Sequence, residues 1–278
     1  MTARIANHLI GAFSTSYGFG NPVYVVYDYG NLSVEVRQQI TSFVNLSECV
    51  FVNAISWSER TPNPIIELRI FNPNDSMKFA GHPLIGAIRS FREMWGIKKG
   101  IIDTGYMQVE FQLLETHHGA TSYLRIPDPL RSVYEDSAKL CQMLSMQEQD
   151  LPIYDCGPRH VLVKVPTLDE LRSFDPNWES LKRFKDIALN AYFVEGEYIE
   201  NRMFSPSYGV YEDRATGTAV IPILKEIRKS APSLTHIEVT QGVGRASGVL
   251  MCGDYSVENA FYTLSGQTTL IGEGEFVL

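Results

Sequence analysis

Two stretches decide how this chain folds: FNPNDSMKFAGHPLIGAI at residues 71–88 and FSPSYGVYEDRATGTAVIPIL at residues 204–224. Each reads as a strand ending in Phe-X-Pro, a polar turn, and then Ala and Gly opening an apolar helix. Their recurrence in the two halves of a 278-residue chain points to an internal duplication, with chance likeness of two strand-loop-helix units as the alternative.

The surrounding sequence repeats the same grammar. Residues 8–13 and 22–29 read as strands around the turn-rich SYGFGN, and 33–44 as an amphipathic helix with Val34, Val36, Ile40 and Val44 on one side and Ser33 as its N-cap. CVFVNAI and IIELRIF read as strands around the turn SERTPN. Residues 83–95 form a helix with Leu84, Ile88, Phe91 and Trp95 on one stripe, stopped by Gly96. Strands are expected at 106–114, 121–126, 160–165, 191–196, 198–204, 235–240, 248–253 and 260–271, and helices at 135–146, 168–174, 180–188 and 217–229. Many strands with a few helices make an α+β protein. The prolines at 127 and 129 place a boundary near residue 130. That gives one half at 1–130 with its central helix at 82–95 and another at 131–278 with its central helix at 217–229. It stays open whether the C-terminal end returns to the first half.

Composition narrows the function. The chain is 44% hydrophobic and 20% charged, which is ordinary for a globular protein. A net charge of -8 and a pI near 5.3 argue against a nucleic-acid partner. No apolar run approaches the roughly 20 residues needed to cross a bilayer, and MTARIANHLIGAF lacks the apolar core of a signal peptide, so neither membrane nor export is expected. Cys49, Cys141, Cys156 and Cys252 form no CxxC pair and read as reduced, mostly buried thiols of a cytoplasmic protein. GxGxxG after a strand, Walker A, HExxH and GxSxG patterns are all missing, and no His/Cys/Asp cluster has metal-ligand spacing, so no metal or cofactor is expected. His117-His118 reads as a solvated turn.

The chemistry that remains gathers at the two helix starts. Ala80-Gly81-His82-Pro83 and Ala215-Thr216-Gly217-Thr218 each expose backbone N–H groups at a positive dipole end, a natural anion site, unless these residues are merely caps and close-packing positions. His82 in such a place can relay a proton or orient a substrate. His160, at a turn entering a strand, reads as structural. Glu48, in Asn45-Leu46-Ser47-Glu48 before the apolar CVFV, is a carboxylate whose desolvation would make it a usable base. Asp213 stands at the second helix start, and Ser47 and Thr218 supply hydroxyls.

NLSE (45–48), FAGHPLIGA (79–87), GPRHV (157–161), RMFSPSYGVYEDRATGTA (202–219), VTQGVGRAS (239–247) and the opening AFSTSYGFGNPVYVV (12–26) together resemble the PhzF family of phenazine-biosynthesis isomerases over nearly the whole chain. The resemblance implies a diaminopimelate-epimerase-like fold: two pseudo-symmetric halves, each a sheet wrapped around a central helix, with the active site between them. It implies a homodimer and a cofactor-independent isomerase acting on a small anionic metabolite. Glu48 would take a proton from one ring carbon of trans-2,3-dihydro-3-hydroxyanthranilate and return it at another. His82 and Asp213 would be its polar partners, with Ser47, Gly81, Thr216, Gly217 and Thr218 lining the site. Epimerases of this fold use one cysteine at each helix start. Ala80 and Ala215 stand there instead, which turns the expectation from two-base racemisation to a single carboxylate shuttle. Thr218 in place of the usual serine, Val220-Ile221-Pro222 in place of smaller residues, and Ala246 in place of proline are departures expected to reshape the cleft. They leave room for a diene intermediate of 4-alkylproline antibiotic pathways as substrate. From another class, a non-catalytic small-molecule-binding protein on the same fold is the rival.

Overall fold

The computed structural model describes residues 4–16, 18–57, 63–117, 119–242 and 249–278. The expected SERTPN turn up to Pro62, His118 and the Gly-Arg-Ala-Ser segment with Ala246 lie outside these residues.

The first half runs β1 (Arg4–Ala12), β2 (Asn21–Val26), α1 (Val34–Val44), β3 (Cys49–Ser56), β4 (Ile65–Phe71), β5 (Ser76–Met77), α2 (Gly81–Trp95), β6 (Lys99–Asp103), β7 (Gln108–Thr116) and β8 (Gly119–Ile126). The second runs β9 (Arg131–Val133), α3 (Ser137–Met143), β10 (Pro152–Asp155), β11 (Arg159–Lys164), α4 (Leu168–Ser173), α5 (Trp178–Leu181), β12 (Ala188–Glu195), β13 (Tyr198–Ser205), β14 (Val210–Asp213), α6 (Gly217–Ser230), β15 (His236–Gln241), β16 (Leu250–Ser256) and β17 (Phe261–Val277).

Strand pairing repeats between the halves. β1–β2 is antiparallel, β2–β3 parallel, β3–β4 antiparallel, β4–β6 parallel, and β6–β7–β8 antiparallel. The series β10–β11, β11–β12, β12–β13, β13–β15 and β15–β16–β17 has the same alternation. The 17 residues of β17 tie the two sheets together: the strand pairs with β16, then β8, and finally, from Thr268 onward, with β1. The last pairing closes β1-β2-β3-β4-β6-β7-β8-β17 into a ring.

The registers align the two copies residue by residue. Cys49 faces Phe71 as Leu189 faces Phe204. Parallel partners Tyr24 and Cys49 correspond to Val161 and Leu189, and Ile66 and Ile102 to Ile199 and Val239. It follows that Val23 matches His160, Val50 matches Asn190, Leu68 matches Asn201, and Thr104 matches Gln241.

Each central helix is enclosed by its sheet, so its opening turns are apolar all round rather than on one stripe. Leu84, Ile85, Ala87, Ile88 and Phe91 of α2 have no exposed surface, and neither do Ala219, Val220, Ile221, Ile223 and Leu224 of α6. Each large side chain buried in this way stabilises the fold by about 1.5–3 kcal/mol. Ile221 packs toward Gly253 instead of facing the cleft, so that departure does not shape the site. The helix expected over 180–188 is corrected: α5 spans only Trp178–Leu181, Asp186 adopts a left-handed φ of 53°, and Ala188 already belongs to β12. Sheet pairing with β11 overrides the local helix preference there.

Glycine is required where the two helix starts meet. A Cβ on Gly81 would lie 3.1 Å from the backbone N of Thr218 and 2.9 Å from Leu264. On Gly217 it would lie 2.7 Å from the Phe13 ring. The N-termini of α2 and α6 thus converge on one place.

Candidate active site

Glu48 reaches this meeting point because α1 stops abruptly. Asn45 takes the left-handed conformation (φ 51°), and its N–H closes onto the Thr41 carbonyl. Four residues later, just past Glu48, the chain enters β3. The body of α1 is held by Arg37, whose Nε donates to Asp28 Oδ2 and whose Nη2 donates to Asn53 Oδ1, both at 2.8 Å. Gln38 Nε2 donates to the Asn72 carbonyl at 2.8 Å, pinning the helix to the Phe-Asn-Pro turn.

His82 is the second residue of α2, and Thr218 the second residue of α6. Neither helix carries a side-chain cap, so the N–H groups of Gly81 and His82 and of Gly217 and Thr218 remain available to an anion, while Pro83 has none and the Ala219 N–H closes onto the Thr216 carbonyl. Thr216 turns its hydroxyl away from its own helix and donates to Asp213 Oδ2 at 2.7 Å. Asn21 Nδ2 donates to Asp213 Oδ1 at 3.2 Å and to the Ala215 carbonyl at 3.3 Å.

His82 Nδ1 lies 3.0 Å from Glu48 Oε2, at ion-pair distance but without hydrogen-bond alignment; the side chains are only 4% and 15% exposed. Glu48 Oε2 and His82 Nε2 are buried and have no hydrogen-bond partner among the described residues. Leaving such atoms unmade is costly in a structural site and ordinary where a ligand completes them. Burial pushes the His82 imidazole down, but the Glu48 charge and contact, Asp213 and the Pro22 carbonyl outweigh it, and the net direction is up. Burial and the Glu48 charge push Asp213 up to about 6, against the opposing influence of His82, Thr216 and the backbone at Arg214.

One cleft unites the residues expected from sequence: Ser47, Glu48, Gly81, His82, Asp213, Thr216, Gly217 and Thr218 all line it. Its remaining walls, including Met77, Met203, Val210 and Pro158, are largely apolar. The free volume is about 40 Å³, room for a few waters, so a ring-sized ligand enters only when the walls part. Asn21, Met77, Tyr208 and Gln241 are parts of the site that motif reading passes over. Their signals are faint: a Gly-Asn-Pro near the start, and a Gln before a glycine-containing stretch of sequence.

The cysteines stay apart from this chemistry. Cys49, Cys141 and Cys156 are buried, and burial pushes the Cys49 thiol up to about 12. Cross-strand pairing does create one group that spacing conceals. His236, Glu238 and Cys252 bring potential ligand atoms within 4.8 Å of one another on β15 and β16, outside the cleft. His236 Nδ1 there is engaged by Asp254 at 2.7 Å. Among the described residues no helix is long and apolar enough to cross a membrane.

The sequence profile of the phenazine biosynthesis-like proteins, PhzC-PhzF, matches residues 10–274. The chain belongs to this family. It is 32% identical over 279 residues to the trans-2,3-dihydro-3-hydroxyanthranilate isomerase of Pseudomonas fluorescens, covering 97% of this chain and 98% of that one. The fold is that of a PhzF-family phenazine biosynthesis protein from Bacillus anthracis (TM-score 0.76, 20% identity, 99% and 100% coverage). It extends to a hydroxyproline epimerase from Agrobacterium vitis (TM-score 0.65, 11% identity, 99% and 93% coverage). The PhzF family thus shares the two-halved architecture of this epimerase, and here Ala80 is the N-cap residue of α2, while Thr216, preceded by Ala215, is that of α6.

Proposed function

We propose that this chain is an isomerase that shifts a proton and a double bond on a small cyclic carboxylate, trans-2,3-dihydro-3-hydroxyanthranilate or a close analogue. The observation that carries the reading is the buried Glu48 carboxylate, held only at ion-pair distance from His82 among the described residues and facing a narrow, mostly apolar cleft. The ionised Glu48 takes a proton from one ring carbon. The electron pair left behind becomes part of a shifted double bond, and protonated Glu48 returns the proton to a second carbon on the same face. Atoms and electrons balance with one carboxylate as carrier, so the step is redox-neutral. The free N–H groups of the α2 and α6 first turns supply a seat for the substrate carboxylate. His82 and Asp213 hold the charge around Glu48 while its proton is in transit.

The test is Glu48→Gln assayed with trans-2,3-dihydro-3-hydroxyanthranilate, following the conjugated-diene absorbance. The expected loss is on the order of 10²–10⁴-fold, the usual contribution of a positioned base. Near-native turnover by a folded Glu48→Gln protein would eliminate this mechanism. A wild-type protein inert to this compound but active on a 4-alkylproline diene precursor would keep the mechanism and change the substrate.

A further inference from the structure

Behind Thr218 lies a chain of buried polar side chains, none of which is exposed: His160, Asn190, Asn201 and Gln241. Its hydrogen bonds have a direction that the backbone fixes at both ends. The Thr216 N–H donates to Gln241 Oε1 at 3.0 Å, and Gln241 Nε2 donates to the Asp213 carbonyl at 2.8 Å and to Thr216 Oγ1 at 2.9 Å. The Gln241 amide therefore cannot be turned over. Its oxygen accepts from Asn201 Nδ2 at 3.0 Å, and the same nitrogen donates to Asn190 Oδ1 at 3.3 Å. Asn201 Oδ1 has no hydrogen-bond partner among the described residues, yet turning that amide over would set oxygen against two oxygens.

Asn190 Nδ2 donates to the Ala188 carbonyl at 3.0 Å, which pins it as a nitrogen, and its second hydrogen meets His160 Nδ1 at 3.1 Å. His160 Nδ1 must then be the bare nitrogen, and the ring proton sits on Nε2. Burial pushes the His160 ring down to about 3, so it stays neutral in a single tautomer. His160 Nε2 lies 2.9 Å from Thr218 Oγ1 and donates to it. That is the only hydrogen bond Thr218 makes through its side chain among the described residues. Its own hydroxyl hydrogen is left over, and Thr218 lines the cleft.

We infer that His160, through the chain Gln241–Asn201–Asn190, is a positioning residue that locks the Thr218 hydroxyl as a hydrogen-bond donor into the cleft, toward an anionic oxygen of the substrate. The inference rests on the isomerase reading for its substrate but not for its direction of hydrogen bonding. The internal duplication supplies a control. The matching positions beneath α2 are Val23, Val50, Leu68 and Thr104, so the fold does not need a polar chain there. Only the copy that underlies a cleft hydroxyl has one.

Two measurements on the full-length protein test this separately. The first labels histidine with ¹⁵N and reads the ring nitrogens, with His160→Val assigning the signals. The expected result is a protonated Nε2 and a bare Nδ1, unchanged between pH 5 and 9. The opposite tautomer, or titration within that range, overturns the inference whatever the enzyme turns over.

The second is a double-mutant cycle on kcat/KM with trans-2,3-dihydro-3-hydroxyanthranilate. Thr218→Val is expected to lose roughly 10- to 100-fold, the worth of a hydrogen bond to a charged group. His160→Val should lose a similar factor and add little in the Thr218→Val background, and Thr218→Ser should keep most of the activity. Multiplicative losses in the double variant would reduce His160 to a packing residue and overturn the inference. If the wild-type protein does not act on this compound, the isomerase reading of the substrate falls, and the tautomer measurement alone decides.

Discussion

The two halves of this molecule share a strand order and a register but differ in what they place around their central helices. Beneath α2 three of the matched positions, Val23, Val50 and Leu68, are apolar and the fourth is Thr104, all of them buried, and the titratable groups Glu48 and His82 stand at the helix start. Beneath α6 they are His160, Asn190, Asn201 and Gln241, and the helix start presents Thr216, Thr218 and Asp213. The register puts Glu48 opposite in role to Ala188, and Met77 to Asp213. Duplication alone yields two helix N-termini at a common cleft. Divergence then left one copy with the proposed proton carrier and the other with an array of neutral hydrogen bonds. A neutral array suits orientation, because its dipoles are already aligned when charge develops and no ion must be moved.

The largest effect should come from making the first copy resemble the second at its reactive position. Glu48→Ala copies Ala188, and it should abolish proton transfer by at least the 10²–10⁴-fold ascribed to a positioned base, with the thermal midpoint near that of wild type. If added acetate or formate restores part of the turnover, a carboxylate at that place, rather than the side chain's packing, carries the reaction. Undiminished activity would dissolve the division of labour between the copies.

The next effect is on stability. Asn190→Val copies Val50 and leaves His160 Nδ1 and the Ala188 carbonyl short of a buried partner, at a cost of about 1–3 kcal/mol. Adding His160→Val and Asn201→Leu replaces the donors and acceptors together with the apolar residues of the first copy. This should recover most of the loss, since removing both partners of a buried pair can be nearly neutral. Chemical denaturation of the single and triple variants makes the comparison. A triple variant less stable than the single one would show that the polar chain holds the second half together and does more than orient Thr218.

These matched positions also show how far the sequence could be read. The strand-turn-helix units at 71–88 and 204–224 announced the duplication; His82, Asp213 and Thr218 stood out because reactive residue types sat at helix starts, and Glu48 because an acid preceded an apolar strand. The chain behind Thr218 was not visible in that way. Asn190, Asn201 and Gln241 lie on separate strands, and only parallel and antiparallel pairing brings them within reach. His160 was legible as structural but not as a neighbour of Thr218, because that contact joins residues 58 apart. The same holds for Asn21 and Asp213, which meet across 192 residues. The short strands β5, β9 and β14 carry no periodicity long enough to read. The segment 180–188 carried a misleading one, since its fate was settled by sheet pairing.

The smallest effect is a pH slope, and it separates the copies electrostatically. Asp213 has its pKa pushed up from 3.8 to about 6 by burial and by the Glu48 charge. Such a group binds its proton more tightly in the folded than in the unfolded chain. Its contribution to stability is therefore complete below about pH 4 and is lost as pH rises through about 6. Asp213→Asn cannot ionise, so its stability relative to wild type should improve steadily between those two values and level off above. A constant offset is expected on top, because an amide at this position cannot accept from both Thr216 and Asn21 as the carboxylate does. The slope of the difference is thus the informative quantity. It can be read from urea midpoints at half-unit pH steps. A difference that is flat, or that runs the other way, would mean that Asp213 feels neither burial nor Glu48 across the cleft, and that the acidic groups contributed by the two copies act as strangers.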